Sequence, residues 1–244
     1  MTSPAVKSAQ RVFEILEYFD RARRPLSLKD ICRQLSYPTS SGAMVLKSLV
    51  VLGYLQYDRA SRTYLPTMRI AVLGDWVPNT LFGGMNILPL MKAMRDETGE
   101  TVVLGAQSDL YAHYVHVEHS HEPLHYAPSP GTIRPLARSG IGQLLLSGLP
   151  RRDVELLVRR INIADPDHRI DADALAEDLT TIRRQGFVFS RSLFAQGVGM
   201  VAVLLPQAPF GRRFALGLAG PVEQLDRDLD DHLRRLRAAT ETMA

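Results

Sequence analysis

Two prolines, Pro25 and Pro38, bracket a stretch with room for only one short helix. Proline lacks the N–H that an inner helical turn needs, and its ring clashes with the turn before it. It also pushes the residue ahead of it out of helical geometry. Upstream of Pro25, residues 8–22 place Val12, Ile15, Leu16 and Phe19 at i, i+3, i+4 and i+7, the stripe of an amphipathic helix. Between the prolines, Ser27-Leu28-Lys29-Asp30 has the form of a capping box. Leu28, Ile31, Cys32 and Leu35 then fall on one buried side. Beyond the turn Ser36-Tyr37-Pro38, Thr39-Ser40-Ser41 supplies the expected N-cap of a second helix that runs to about Leu52. Val45, Leu46, Leu49 and Val50 form its inward face, and Gly53 stands where a helix-ending glycine is expected.

A supporting helix followed by two short helices and a tight turn is a helix-turn-helix. Residues 54–57 and 62–65, rich in aromatics and joined by Asp58-Arg59-Ala60-Ser61, predict a hairpin after the second helix. In that position it is a wing, with Arg59 and Arg62 at its tip. Charge agrees with this reading. Residues 1–75 hold 11 Lys and Arg against 6 Asp and Glu, although the whole chain of 244 residues has a net charge of only +3. A basic small domain on a near-neutral body is the footprint of a polyanion binder, here double-stranded DNA.

Past the wing, residues 67–81 carry Met68, Ala71, Val72 and Trp76 in helical spacing, with an interruption expected at Pro78. Gly83-Gly84 is the expected flexible point. The division expected is therefore 1–66 for the winged helix-turn-helix, 67–84 for a linker helix and 85–244 for a second domain. In the last of these, helices at 87–97, 151–160, 172–185 and 223–240 mix with strands at 101–106, 111–118, 186–189, 200–205 and 213–218. The fold class is thus α+β, with a central antiparallel sheet. The single cysteine, Cys32, excludes an intrachain disulfide and fits a reducing cytoplasm. No apolar run reaches the ~18 residues of a membrane span, and no cleavable leader is evident. A cytoplasmic protein without a membrane partner is expected.

The pieces RPLSLKDICRQL, YPTSSGAMVLKSLVVLGYL and YDRASRTYLPTMRIAVLG resemble the DNA-binding domain and linker of the IclR family of bacterial transcriptional regulators. Gly131-Thr132-Ile133-Arg134-Pro135-Leu136 with Ser139-Gly140-Ile141-Gly142, Gln196 to Ala202, and Leu216 to Pro221 resemble the family's GAF-like effector-binding domain. The resemblance implies a homodimer or tetramer, packed in part through the linker helix, that regulates transcription and responds to a small-molecule effector. For DNA it implies Thr39, Ser40, Ser41, Ala43, Met44, Lys47, Arg59 and Arg62. Ala43 and Met44 stand where the family often has histidine and arginine. Base reading therefore leans on the serines, on apolar contact with thymine methyls and on DNA shape, with Lys47 as a phosphate contact.

For the effector, the resemblance implies Ser139, Gly140, Ile141, Gly142, Ser190, Val198, Met200, Gly217 and Ala219. Glycines opening a helix present free N–H groups and the positive end of the helix dipole, which suits a carboxylate. Ser190, Met200, Gly217 and Ala219 replace more polar residues of the family pattern, and Gln143 replaces a lysine. The ligand expected is an organic acid, aromatic or otherwise apolar. No cofactor and no enzymatic activity are expected. Two alternatives remain at this point. The second domain could serve oligomerisation only. The stretch His113, His116, His119, His121 and His125 could form the site of a metal-dependent enzyme. On a regular strand His113 and His119 would share one face, with His116 on the other.

Overall fold

The computed structural model describes residues 6–82, 87–123, 125–129 and 131–242, so the expected hinge at Gly83-Gly84 lies outside the described residues. The chain divides into two units, Met1–Val77 and Pro78–Ala244.

The first unit runs α1 (Lys7–Ala22), β1 (Leu26–Ser27), α2 (Leu28–Gln34), α3 (Thr39–Val51), β2 (Leu55–Asp58), β3 (Thr63–Pro66) and α4 (Met68–Gly74). The predicted capping box is present: Asp30 N–H donates to Ser27 Oγ at 3.2 Å, and Ser27 N–H donates to Asp30 Oδ2 at 3.3 Å. The Ser27 hydroxyl, which donates to Asp30 Oδ2 at 2.7 Å, and then the Ser27 N–H hold the Asp30 carboxyl below its ordinary range. Ile15, Phe19, Leu26, Ile31, Leu46, Leu49 and Leu55 make the core, which joins the predicted stripes of three helices. Gly42 lets α3 approach α2, because a Cβ there would lie 2.4 Å from Cys32 Sγ. Cys32 itself is buried.

Three local expectations are corrected here. The N-cap of α3 is Pro38, with no side-chain cap; Thr39, Ser40 and Ser41 already lie inside the helix. Proline fits that boundary because its fixed φ suits the extended cap position. The break in the linker falls at Asp75 and not at Pro78. Pro78 lies in the first turn of α5 (Trp76–Phe82), where a missing N–H costs no helical bond. The wing has a third strand, since β1 pairs with β3 in the order β1-β3-β2.

The second unit continues with α6 (Ile87–Thr98), β4 (Thr101–Ser108), β5 (Tyr111–Glu118), β6 (Ile133–Pro135), α7 (Gly140–Ser147), α8 (Arg151–Ala164), α9 (Ala172–Gln185), β7 (Val188–Arg191), β8 (Val198–Leu204), β9 (Phe214–Pro221), α10 (Val222–Arg227) and α11 (Leu229–Thr242). All pairings in its sheet are antiparallel, in the order β6-β5-β4-β9-β8-β7. Strand periodicity sorts neighbours to opposite faces. Val103 and Ala202 join Leu144, Leu145 and Leu179 on the face of α7 and α9. Val102 and Val201 join Met91 and Leu236 on the face of α6 and α11.

Here too the sequence pattern is locally broken. The register shifts between Leu104 and Gly105, whose partners are His116 and Tyr114, so Val115 is an extra residue in β5. The bulge reverses the alternation. His113 and His116 therefore share a face, opposite Ala106 and Leu104, and His119 lies beyond the strand. The short edge strand β6 was not among the strands expected from sequence. The last predicted helix is two helices, interrupted at Asp228.

Candidate nucleic-acid interface and effector cavity

The exposed side of α3 is the first candidate. Thr39, Ser40, Met44, Lys47 and Ser48 are exposed, while Ser41 and Ala43 are half-buried. Met44 is 73% exposed, so the centre of this face is apolar. Ser41 Oγ accepts from Arg11. Arg11 also lies over the Tyr37 ring, 5.0 Å from its centroid, and Tyr37 OH donates to Glu14. The Ser41 hydroxyl thus fixes α3 against α1. The wing turn places Arg59 and Arg62 in solvent. Arg62 takes a left-handed φ of 55°, and Asp58 accepts from Ala60 N–H and Ser61 OH, both at 2.8 Å. A groove between α2 and the wing is lined by Lys29 and Arg33 as well as Thr39, Tyr57 and Arg62. Sequence reading passed over Lys29 and Arg33. Their signal was available, since both lie on the outer side of α2, off the stripe Leu28, Ile31, Cys32 and Leu35.

The second candidate is a cavity in the C-terminal unit. Ser139 caps α7 through Gly142 N–H at 3.1 Å. Gly140 and Ile141 open the helix, where N–H groups have no carbonyl four residues back. Both residues line a cavity of about 30 Å³, within a cleft of about 390 Å³ including its open mouth. Ser139, Ser190, Val198 and Met200 also line it, whereas Gly142, Gly217 and Ala219 do not. Gly142 is buried against Leu136, whose carbonyl oxygen would be 2.0 Å from any Cβ there. A Cβ on Gly217 would meet Ala202, and Ala219 packs into the core. Gln143 donates to Ala137 O at 3.3 Å.

Tyr114, Tyr126 and Phe194 complete the wall, and sequence reading did not single them out. Burial pushes the Tyr114 hydroxyl up to about 12, so it stays a neutral donor. Tyr126 and Phe194 lie on irregular segments where no periodicity marks a pocket.

The histidine-rich stretch is engaged elsewhere. His116 lies 2.8 Å from Glu118, which also pairs with Arg95 at 3.1 Å. His119 faces His125 with ring centroids 6.4 Å apart. Burial lowers the pKa of His119. Among the described residues no group of three His, Cys, Asp or Glu could hold a metal ion. No described helix is long and apolar enough to cross a membrane.

These two sites occur together in one group of proteins. The IclR helix-turn-helix domain matches residues 8–59, and the C-terminal domain of the bacterial transcriptional regulator IclR matches residues 85–244. The chain belongs to the IclR family. It is accordingly a transcriptional regulator with a DNA-binding domain and a C-terminal effector-binding domain. It is 24% identical to the regulator KdgR of Escherichia coli, over 88% of this chain and 81% of that protein. It is 25% identical to TsaQ1/TsaQ2 of Comamonas testosteroni, over 90% of this chain and 80% of that protein. The fold is that of the Thermotoga maritima IclR structure, with TM-score 0.64, 16% identity and coverage of 97% and 98% of the two chains. An IclR-family regulator from Brucella abortus is similar, with TM-score 0.58 and 24% identity over 98% and 91% of the two chains.

Proposed function

We propose that this IclR-family regulator binds DNA as a homodimer and that a small organic acid, preferably aromatic, changes its DNA affinity. The observation that carries the effector assignment is the cavity at the start of α7. Its backbone N–H groups suit a carboxylate, and Tyr114, Tyr126 and Met200 around it suit a ring. The acid would bind through Gly140 and Ile141 N–H, with Ser139 and Ser190 beside them.

On the DNA side, Ser40, Met44 and Lys47 face the major groove, with Met44 against apolar base edges. Lys29, Arg33, Arg59 and Arg62 contact phosphates and set position, not sequence. The dimer reading is supported by α4 and the start of α5, where Met68, Val72 and Trp76 form one stripe, each at least 63% exposed. A two-fold dimer reads two half-sites. The effector acts by linkage, shifting the population of arrangements according to its preference among them.

Calorimetry with benzoate, pyruvate and glyoxylate on the full chain tests the cavity. Benzoate is expected to bind most tightly, and tighter binding of pyruvate or glyoxylate rejects the aromatic assignment. Selection of bound sequences from random DNA, with and without benzoate, tests the coupling; identical recovery in both rejects it.

A further inference from the structure

Arg134 has an unusual environment for a cation. It lies on β6, opposite Ala112. Its Nη2 donates to the Tyr126 hydroxyl at 2.8 Å, and Nη1 donates to Ile133 O at 3.2 Å. Its guanidinium carbon lies 4.6 Å from the Phe194 ring centroid and 5.7 Å from that of Tyr114. Among the described residues the Nε–H is buried and has no hydrogen-bond partner. Tyr114, Tyr126 and Phe194 all line the effector cavity. A guanidinium with one buried, unsatisfied N–H thus contacts three residues of that cavity's wall.

The cavity is also too small as it stands. About 30 Å³ holds a water or two, not a benzene ring. The ring already on the guanidinium belongs to Phe194, which is 49% exposed on the turn between β7 and β8. That turn carries left-handed backbone at Ser192 (φ 52°) and Gly197 (φ 74°). For a non-glycine residue such as Ser192 this is a strained conformation.

We propose that Arg134 makes this cavity select anions, and that Phe194 occupies the place of the effector's ring. The inference rests on the effector reading of the cavity. Backbone N–H groups at a helix start hydrogen-bond an amide oxygen as well as a carboxylate, so they discriminate charge only weakly. A guanidinium with a free N–H adds a charge-assisted bond that an amide does not complete. An aromatic acid that displaces Phe194 brings its carboxylate to accept from the orphan Nε–H, while its ring takes the space Phe194 leaves. Nothing covalent changes.

The test is calorimetric titration of the full chain with benzoate and benzamide, which share a shape and differ in charge. The wild type is expected to prefer benzoate by roughly tenfold or more. Arg134→Met is expected to bring the two within about threefold, and Arg134→Lys, which keeps charge without the fork, to fall between. Phe194→Ala, which removes the internal competitor, is expected to tighten benzoate binding several-fold. A tenfold preference retained in Arg134→Met overturns the proposal and leaves the effector reading intact, with α7 as the anchor. Should Arg134→Met not fold, weaker benzoate binding in Phe194→Ala overturns it instead. If the wild type binds neither probe, the effector reading fails and the proposal with it.

Discussion

Helices α3 and α7 begin alike and end in different worlds. Each opens with serine and an early glycine: Thr39-Ser40-Ser41-Gly42 in one, Ser139-Gly140-Ile141-Gly142 in the other. In α3 only Gly42, Leu46 and Leu49 are buried, and the cap position carries no side-chain bond. In α7 every residue but Gln143 is buried, and Ser139 supplies the cap. Both present the positive end of a helix dipole. The exposed start is open to a partner of any length; the enclosed one leaves room only for a small ligand. Similar local sequence thus gives one open helix start and one enclosed one, and burial makes the difference.

The glycines put the largest effect on the enclosed side. A Cβ on Gly142 would sit 2.0 Å from a backbone oxygen of Leu136, which cannot turn away. Gly142→Ala should destabilise the second unit by at least about 3 kcal/mol. Hydrogen exchange should show α7 losing protection while α3 keeps it. Equal protection in both helices would break the contrast.

A pH difference between the units comes next. Burial, with repulsion from Asp228, raises Glu100 from its ordinary 4.5 to about 7, and Glu100 is only 7% exposed. Folding therefore favours the neutral acid. That preference is fully present below about 4.5 and is lost as pH rises through 7, at a cost on the order of 2–3 kcal/mol. Glu100→Gln should stabilise the second unit by about that much at pH 8 and by little at pH 4.5, measured by chemical denaturation. In the first unit Asp30 and Asp58 shift the other way, lowered by bonds from Ser27 and Ser61. Their contribution is lost in acid, so the first unit should show no comparable loss between pH 5 and 8.

On the exposed side the glycine clash is softer. A Cβ on Gly42 meets a side-chain sulfur, Cys32 Sγ, and not backbone. Gly42→Ala should cost about 1–2 kcal/mol, and Cys32→Ala in the same chain should recover most of it. Denaturation midpoints of the two variants decide this. A double variant as unstable as the single one would mean that the helix approach is limited elsewhere.

These contrasts mark what the sequence makes legible. Periodicity placed α1, α2 and α3 because each buries one stripe on a single small core. The Ser27–Asp30 capping box is local, and it is present as read. The bulge at Val115 was hidden because it depends on register with β4, whose flanking pairs join residues twelve (Leu104 and His116) and nine (Gly105 and Tyr114) apart in sequence. The cavity was half legible for the same reason. Ser139, Gly140 and Ile141 belong to one local motif, whereas Tyr114, Tyr126 and Phe194 reach it from segments whose spacing carries no period. Arg134 sits in a strand of three residues, too short to announce which side its side chain takes.

The smallest effects separate the helix starts themselves. Ser139→Ala removes a cap bond and should cost about 1 kcal/mol, while Thr39→Ala, where no cap bond exists, should stay within about 0.5 kcal/mol. In the function proposed above, the exposed start answers to DNA instead. Lys47 is exposed on the same face as Met44. As a phosphate contact, Lys47→Ala should weaken binding to all sequences alike and reduce the dependence of log affinity on log salt by about 1. Met44→Ala, on an apolar contact, should leave that slope unchanged and alter preference among sequences. Binding isotherms across salt concentrations distinguish the two. If Lys47→Ala changes sequence preference and leaves the slope alone, then α3 reads bases through its charge, and its apolar centre is only a spacer.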